Sequence, residues 1–535
     1  MRDRLSQLDD STTPISVTFP RIYNAAVDLV DRHLLPEHNR GSHIAYHDDF
    51  GSVTYAALSE RVNRAGNALL NLGIQMEQRV LMAMLDTVDF VAMFLGAIKI
   101  GAVPVPVNTL LSASDYRHFL IDSRARLVVV SDALLPKFAE ARAAAPQVPV
   151  VVARSPLGAG VDKGALLALD ALMAQASSSL QAAATTPDDT AFWLYSSGST
   201  GAPKGAMHLQ SHLMMTAALY GRGVLDIRKE DVIYSAPKLF FAYGLGNALT
   251  FPLCVGATAV LMAERATPSA VARTLRSHQP SIFCGVPTLF ASMLADPQIT
   301  RESCSQALRV SLSAGEALPR HVGERWQQRF GSDILDGLGS TEMLHMFLSN
   351  RPGDVRYGTT GKAVPGYQLK LVGDDGDLVG DGEEGSLWVH GPTAAVGYFN
   401  NRERSLSTFH GPWTRTGDRF MRDASGYYIC AGRSDDMLKV GGIWVSPVEV
   451  EGALSSHPAV LEAAVVGKPD EDGLIKPQAF VVLKDAAQAG EALSQELKLY
   501  IKDRLAPFKY PRWIEFVAEL PKTATGKIQR FRLRG

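Results

Sequence analysis

A loop near the middle of the chain carries the residue types that bind phosphate groups. Residues 195–205 read YSSGSTGAPKG. Glycines leave backbone N–H groups uncovered, serine and threonine hydroxyls add donors, and a lysine adds a full positive charge. The candidate phosphate-binding residues are Ser196, Ser197, Gly198, Ser199, Thr200, Gly201 and Lys204.

Two interpretations of this loop are open from its own sequence. Stretches rich in serine and glycine are commonly flexible surface connections. The loop also departs from the P-loop pattern G-x-x-x-x-G-K-[ST], because Pro203 precedes Lys204 and Gly205 follows it. In the P-loop the Ser or Thr after the lysine binds magnesium, so in this chain that hydroxyl would have to come from another position. The loop alone therefore does not establish a phosphate site, and other segments of the chain must support it.

The segments around the loop indicate an α/β fold. The apolar run AFWLY at 191–195 predicts a buried strand that leads directly into the loop. Residues 54–73 predict a helix that Thr54 caps and Gly73 ends, and apolar strands then alternate with helices. Such alternation is typical of mostly parallel sheets that helices cover on both faces.

Composition narrows the class of protein. A formal net charge of −2 without basic runs argues against a nucleic-acid partner. The first ten residues lack the apolar core of a signal peptide, and charged residues and prolines interrupt the most apolar window, 79–107, so we expect no membrane span and a cytoplasmic location. The cysteines lack metal-ligand spacing, which predicts buried free thiols at Cys254, Cys284, Cys304 and Cys430.

The chain is expected to divide into a large and a small domain. Residues 164–189 are rich in alanine and serine and predict a short helix and a connector within the large part. Beyond residue 434 the pattern changes to a compact series of strands and a helix. The sequence therefore predicts a large domain of mostly parallel sheets, 1–434, and a small α+β domain, 435–535.

Five further motifs accompany the loop. They are SAGEAL (313–318), DGLGSTE (336–342), TGD (416–418), GRSDDMLKVGGIWVSPVEVE (432–451) and PKTATGKIQR (521–530). In this order and spacing the six motifs resemble the acyl-adenylate-forming superfamily of acyl- and aryl-CoA ligases, peptide-synthetase adenylation domains and luciferases. The resemblance covers nearly the whole chain. It implies an enzyme that joins a carboxylate to AMP with loss of pyrophosphate and then transfers the acyl group to a thiol.

The resemblance assigns catalytic roles in the first step, in which a carboxylate must approach a polyanionic nucleotide. Lys527 would bridge the substrate carboxylate and the α-phosphate, and Lys204 with its loop would bind the β- and γ-phosphates. Glu342 would hold Mg²⁺ near the α-phosphate, and Thr200 would share that ion, because hard oxygen ligands suit it.

The resemblance also implies an adenosine site. Asp418, which TGD predicts on a turn, would bind the ribose hydroxyls with Arg433 as a second contact. Many relatives have an aromatic residue at the position of Leu338, so aliphatic packing would here replace stacking on adenine. The adenine slot and the turn after it would comprise Gly315, Glu316, Asp336, Gly337, Leu338, Gly339, Ser340 and Thr341.

A rotation of the small domain between the two half-reactions is a further implication. Lys527 must be withdrawn before a thiol can reach the adenylate. Asp435 matches the hinge position of the family. After rotation the loop 439–447 would face the active site, where glycines let the pantetheine arm of CoA pass close to the backbone. The CoA-facing residues would be Lys439, Gly441, Gly442 and Trp444.

The acid pocket is expected from residues 237–247 and from those after Glu342. Their aromatic bulk favours a short, flat acid. The strings KLFFAYGLGN, STEMLHMFLSN and GGIWVSPVEVE resemble those of bacterial benzoate-CoA ligases, which implies benzoate or a close analogue as substrate. For His345 a packed core histidine is an open alternative. The predicted pocket residues are Phe241, Ala242, Tyr243, Gly244, Gly337, His345 and Met346.

Two other functions are open at this point. One is an adenylation enzyme that loads an aryl acid onto a carrier protein in trans, although the chain has no attachment sequence of the LGGxS type. The other is a non-catalytic acyl or nucleotide sensor, which would have no need of Lys204, Glu342 and Lys527 together. The expected ligands are ATP, Mg²⁺, an aryl acid and CoA. The oligomeric state, a homodimer included, is left open.

Overall fold

The computed structural model describes residues 2–162, 164, 166–196, 203–433, 436–440, 443–471, 474–506, 509–522 and 528–534, with the backbone alone for Lys439, Ile443 and Trp444. The helices are α1 (Ala25–Leu29), α2 (Tyr55–Asn71), α3 (Val88–Lys99), α4 (Ala113–Asp122), α5 (Leu135–Arg142), α6 (Leu169–Gln175), α7 (Gln210–Thr216), α8 (Ala242–Leu245), α9 (Phe251–Val255), α10 (Pro268–His278), α11 (Pro287–Ala295), α12 (Arg320–Phe330), α13 (Arg402–Thr408), α14 (Pro447–Ser455) and α15 (Glu491–Lys502).

The strands follow in chain order. They are β1 (Gln7–Asp9), β2 (Ser16–Thr18), β3 (Ile44–Asp48), β4 (Gly51–Thr54), β5 (Arg79–Ala83), β6 (Val103–Pro106), β7 (Leu127–Ser131), β8 (Val150–Ala153), β9 (Leu167–Ala168), β10 (Thr190–Ser196), β11 (Lys204–Leu209), β12 (Val232–Ser235), β13 (Thr258–Val260), β14 (Ile282–Gly285), β15 (Val310–Ala314), β16 (Asp333–Gly339), β17 (Met346–Ser349), β18 (Lys362–Ala363), β19 (Gln368–Val372), β20 (Glu384–His390), β21 (Phe409–His410), β22 (Trp413–Arg422), β23 (Tyr428–Arg433), β24 (Leu438–Val440), β25 (Ile443–Val445), β26 (Val460–Pro469), β27 (Ile475–Leu483) and β28 (Trp513–Phe516).

Two mostly parallel sheets form the centre of the large domain. One has the order β6-β5-β7-β8-β9 and is parallel throughout. The other has the order β18-β17-β16-β15-β14-β12-β13-β3-β4, in which the strands from β16 to β3 pair in parallel and antiparallel strands close both edges. The predicted α/β architecture is confirmed.

Helices cover both faces of each parallel sheet, which explains why the strands read as continuous apolar runs. Leu127 and Val129 of β7 enter a core with α2 and α3, whereas Val128 and Val130 enter a second core with α4 and α5. In the other sheet Phe283 of β14 packs in a core with α10, α11 and α12. Strands buried on both faces have no polar side to alternate with the apolar one.

The helix predicted at 54–73 forms as α2 with the expected ends. Thr54 accepts a hydrogen bond from the backbone N–H of Ala57 at 3.3 Å. Gly73 adopts a left-handed φ of +80° just beyond the helix. A hydroxyl cap at the start and a left-handed glycine at the end satisfy backbone groups that the helix leaves unpaired.

An antiparallel sheet, which the sequence did not indicate, completes the large domain. Its order is β19-β20-β22-β21, and β23 also pairs with β22. The prediction that Asp418 lies on a turn is wrong, because β22 runs without a break from Trp413 to Arg422. Gly417 adopts φ +79° inside this strand, so the turn-like sequence TGD encodes a local irregularity within a strand.

The small domain contains the predicted strands and helix. Strands β26, β27 and β28 form one sheet, β24 and β25 form a hairpin, and residues of both enter a core with α14 and α15. The predicted boundary between the large and the small domain, at 434/435, stays a prediction because Ser434 and Asp435 lie outside the described residues.

Two composition-based expectations can be compared with the structure. Cys254, Cys284 and Cys304 are buried free thiols, and Cys430 is a partly buried one. Within the part of the chain that the structure describes, every helix is too short or too polar to span a bilayer.

Candidate active site

The glycine-rich loop connects the two antiparallel strands β10 and β11. The strand predicted over 191–195 lies within β10, where residues 191–194 are buried and Tyr195 is partly buried. Ser196 lies opposite Lys204 in the register. This pairing brings the first hydroxyl and the lysine of the motif together at the mouth of a hairpin. Five predicted phosphate ligands lie outside the described residues, and their role stays a prediction: Ser197, Gly198, Ser199, Thr200 and Gly201.

Glu342 lies against the mouth of this hairpin. Its Oε1 accepts hydrogen bonds from Ser196 Oγ at 3.0 Å and from Tyr398 Oη at 2.7 Å. Its backbone carbonyl accepts a hydrogen bond from the N–H of Ala395 at 2.7 Å. The carboxylate is therefore fixed beside the phosphate-type loop, where a negative charge would repel a triphosphate unless a cation lies between them.

The donor set around Glu342 fits Mg²⁺ rather than a transition metal. A carboxylate and the hydroxyl of Ser196 are hard oxygen ligands, and Mg²⁺ is commonly held by one or two carboxylates together with substrate phosphates. The described residues contain no group of three or more His, Cys, Asp or Glu side chains that could hold a metal by themselves.

Tyr398 joins the lysine of the loop to this carboxylate. Its hydroxyl donates to Glu342, and its ring centroid lies 4.7 Å from Lys204 Nζ. Tyr398 also pairs with Ala206 of β11 in an isolated bridge. Partial burial lowers the pKa of Lys204, and the nearby Glu342 opposes this effect. A lone tyrosine in GYFNN carries no sequence signal for such a role.

His208 supports the turn that carries Glu342. Its Nε2 lies 2.8 Å from the backbone carbonyl of Thr341. Burial lowers the pKa of His208 to about 4, although the hydrogen bond to Thr341 and the charge of Glu342 act in the opposite direction. The ring is therefore neutral at pH 7 and donates from Nε2 to the carbonyl.

Seven of the predicted adenosine residues line one cavity of about 410 Å³, whereas Gly339, Ser340 and Thr341 lie outside its lining. Residues from both domains line it, including Ile528 and Arg530 of the small domain. Gly339, Ser340 and Thr341 lead from the cavity to Glu342. The structure thus brings together, at one cavity, Gly315, Glu316, Asp336, Gly337, Leu338, Asp418 and Arg433.

Asp336 places a buried carboxyl group in the wall of this cavity. The residue is 4% exposed, and in the described structure its Oδ1 has no hydrogen-bond partner. Burial raises the pKa of Asp336 well above its usual range, although a hydrogen bond from Thr360 opposes this effect. A buried oxygen without a donor is suited to accept a hydrogen bond from an exocyclic amino group of a base.

Asp418 and Arg433 face each other across β22 and β23. They are register partners, and Arg433 Nη1 lies 3.1 Å from Asp418 Oδ1. The Asp418 side chain is 14% exposed and that of Arg433 is 47% exposed. This geometry holds the carboxylate at the cavity edge, where it can accept hydrogen bonds from a pair of hydroxyl groups.

The two segments predicted for the acid pocket converge. Phe241 precedes α8, which contains Ala242, Tyr243 and Gly244 and continues through a π-helical turn into α9. His345 Nε2 lies 3.3 Å from the backbone carbonyl of Tyr243. A Cβ on Gly337 would approach Met346 Sδ to 2.4 Å, so a larger residue at position 337 would force the Met346 side chain to move.

His345 is a packed residue. It is 2% exposed, and its ring lies 4.6 Å from that of Phe251, 5.4 Å from that of Tyr220 and 5.7 Å from that of Tyr243. Burial lowers the pKa of His345 to about 3, so the ring is neutral at pH 7. These surroundings agree with the interpretation of His345 as a packed core histidine. Contact between His345 and the substrate stays a prediction.

Residues 36–399 match the model of the AMP-binding enzyme family, and residues 449–527 match that of the AMP-binding enzyme C-terminal domain. The chain belongs to the AMP-binding enzyme family. The acyl-adenylate-forming fold that the motifs implied is thereby confirmed, and the two matched segments lie on either side of the predicted domain boundary.

Relatives within the AMP-binding enzyme family resemble the chain over nearly its full length. A benzoate-CoA ligase of Thauera aromatica is 59% identical over 99% of each chain. The crystal structure of a benzoate CoA ligase from Burkholderia xenovorans LB400 is 51% identical, covers 96% of this chain and all of its own, and superimposes with a TM-score of 0.89. The anthranilate CoA ligase AuaEII in complex with anthranoyl-AMP is 43% identical, covers 96% of this chain and 97% of its own, and has a TM-score of 0.91.

Several residues predicted for catalysis, the hinge and the CoA-facing loop lie in or near segments outside the described residues. Lys439 and Trp444 pair across the β24–β25 hairpin. The predicted residues Gly441, Gly442, Asp435 and Lys527 lie outside the described residues. Their roles stay predictions that the family membership motivates.

Proposed function

We propose that the protein is a benzoate-CoA ligase that forms AMP. It joins benzoate, or a close aryl acid, to AMP with release of pyrophosphate and then transfers the acyl group to CoA. One observation carries the proposal: the β16–β17 hairpin brings three predicted sites together. It lines the cavity of the predicted adenine slot at Asp336 and Gly337, accepts a hydrogen bond from Ser196 at Glu342, and returns beside the aromatic side chains of the predicted acid pocket at His345. Full-length similarity to benzoate-CoA ligases supports it.

In the first half-reaction a carboxylate oxygen of the acid bonds to the α-phosphorus of ATP. The bond from that phosphorus to the bridging oxygen breaks, and pyrophosphate leaves with the electron pair. Mg²⁺ held by Glu342 and Thr200 would neutralise charge on the phosphates. Lys204 would bind the β- and γ-phosphates, and Lys527 would hold the carboxylate against the α-phosphate, because two anions must be brought into contact.

In the second half-reaction the thiolate of CoA bonds to the acyl carbon and AMP leaves. The small domain would turn about Asp435 so that Lys527 withdraws and the 439–447 loop faces the adenylate. No observation favours loading of a carrier protein or a sensing role over transfer to CoA. The proposal includes a cytoplasmic location, where ATP and CoA are available, and leaves the homodimer as an option.

The enzyme should select aryl acids by the volume and position of their ring substituents. Benzoate and small ortho-substituted or fluorinated analogues should react, and the value of kcat/KM should fall abruptly for bulky para substituents. An apolar pocket distinguishes one methylene by only about 10- to 200-fold, so the fall should be gradual until a wall is reached. The measurement is kcat/KM for a panel of acids, with benzoyl-CoA and AMP identified as products.

His345→Ala should widen the tolerance of para substituents in the same panel. His457→Ala is the matched control, since His457 is a buried histidine of the small domain that is 7% exposed. An unchanged para-substituent profile would remove His345 from the pocket. A parent enzyme that prefers hexanoate or longer acids would overturn the choice of aryl acid while leaving the ligase class intact.

A further inference from the structure

A hydrogen bond connects the two domains beside the predicted catalytic lysine. Glu316 Oε1 accepts the backbone N–H of Ile528 at 2.8 Å, across 212 positions of the chain. Glu316 lies in the turn after β15 of the large domain, and Ile528 directly follows Lys527 in the small domain. Glu316 lines the cavity that contains the predicted adenine slot, and one oxygen of its carboxylate also binds the small domain.

Contacts within the small domain hold together the two chain segments that flank residues 523–527. Lys522 and Ile528 form an isolated bridge, and the N–H of Gln529 donates to the carbonyl of Pro521 at 2.7 Å. Lys522 Nζ also lies 2.6 Å from a carboxylate oxygen of Glu462. The residues that flank 523–527 are therefore held together by contacts within the small domain. Glu316 connects these flanking residues to the large domain.

The charge of Glu316 also acts on an arginine of the small domain. Arg530 donates to both carboxylate oxygens of Glu451, at 2.9 and 2.6 Å, and lines the shared cavity. Burial lowers the pKa of Arg530, but Glu451, Asp436 and Glu316 together raise it above its usual value. The acceptor in the contact between the domains is an ionisable carboxyl group, and an ionised acceptor forms a stronger hydrogen bond than a neutral one.

We propose that Glu316 is a positioning residue that docks the small domain for adenylate formation and releases it for thioester formation. The inference rests on the proposed function, because it assumes two half-reactions that need different domain positions. A bond made in only one of two conformers favours that conformer by its full strength. Loss of the bond should therefore slow the first half-reaction and spare the second.

The test measures the two half-reactions separately in Glu316→Ala and Glu316→Gln. Adenylate formation from benzoate and ATP should fall about 10- to 150-fold in the alanine variant, the range expected for one hydrogen bond to a charged group. The glutamine variant should recover part of this loss, since its amide oxygen still accepts the Ile528 N–H but carries no charge. Benzoyl-CoA formation from supplied benzoyl-adenylate should not fall in either variant.

The dependence on ATP concentration distinguishes docking from a role in adenine binding. Docking predicts a lower kcat for adenylate formation with an unchanged KM for ATP, whereas an adenine contact would raise that KM. Glu324→Ala is the matched control, because Glu324 pairs with Arg320 on the surface of α12. Equal loss in both half-reactions, a rise in KM alone, or no change would overturn the inference. Failure of the unmodified enzyme to form benzoyl-CoA would instead overturn the proposed function.

Discussion

Replacing Lys527 by alanine is expected to slow adenylate formation by about a hundred- to a thousandfold, the usual cost of removing one preorganised group that stabilises developing charge. Thioester formation from supplied benzoyl-adenylate should continue at the normal rate. The reason is that the lysine would contact the substrate carboxylate and the α-phosphate together, and both contacts belong to the first half-reaction. Release of pyrophosphate and formation of benzoyl-CoA are the two rates to measure.

Lys522→Ala is the matched control for this experiment. Lys522 lies at the base of the same loop, but its side chain pairs with Glu462 within the small domain. The control should therefore retain adenylate formation to a far greater extent than the Lys527 variant. Equal damage to both half-reactions in Lys527→Ala would contradict the assignment of the lysine to one step.

Replacing Glu342 by glutamine is expected to lower the rate of adenylate formation by at least about a hundredfold and to raise the Mg²⁺ concentration needed for half-maximal rate. Loss of a residue that only orients a metal ligand already costs about 10–100-fold in metal affinity or activity, and Glu342 is proposed as a ligand itself. The amide oxygen can still accept the hydrogen bonds that Ser196 and Tyr398 give to Oε1. The substitution therefore removes the negative charge while it leaves the local packing intact.

Two measurements test this variant. One is the initial rate of pyrophosphate release as Mg²⁺ is varied, and the other is the calorimetric affinity for ATP with and without Mg²⁺. Glu383→Gln is the control, since Glu383 is an exposed residue that accepts a hydrogen bond from the N–H of Gly380. An unchanged Mg²⁺ dependence in Glu342→Gln would show that the ion is held elsewhere.

The elements of the fold could be predicted because their patterns are local. Hydroxyl cap, apolar stripe and terminal glycine all lie within 54–73, and the structure contains the helix they predict. The parallel strands were recognisable because burial on both faces leaves a continuous apolar run. Asp418 shows the limit of local patterns. The glycine before it, Gly417, adopts a φ of +79° inside strand β22, and a positive φ of this kind can occur within a strand as well as in a turn.

The partners of the site residues were harder to predict, because side chains meet across long separations in the chain. Tyr398 contacts Glu342 across 56 positions, and His208 reaches the carbonyl of Thr341 across 133. The hydrogen bond between Glu316 and Ile528 depends further on how one domain sits against the other. Periodicity reports which face of an element is buried, but it carries no information about which distant element covers that face.

The measurement that tests the central claim most directly is exchange of labelled pyrophosphate into ATP in the absence of CoA. An aryl-adenylate intermediate predicts exchange that requires benzoate and Mg²⁺ and does not require CoA. Addition of CoA should then yield benzoyl-CoA and AMP in equal amounts. Exchange that occurs only with CoA present, or products that contain ADP and inorganic phosphate, would contradict a reaction through benzoyl-AMP.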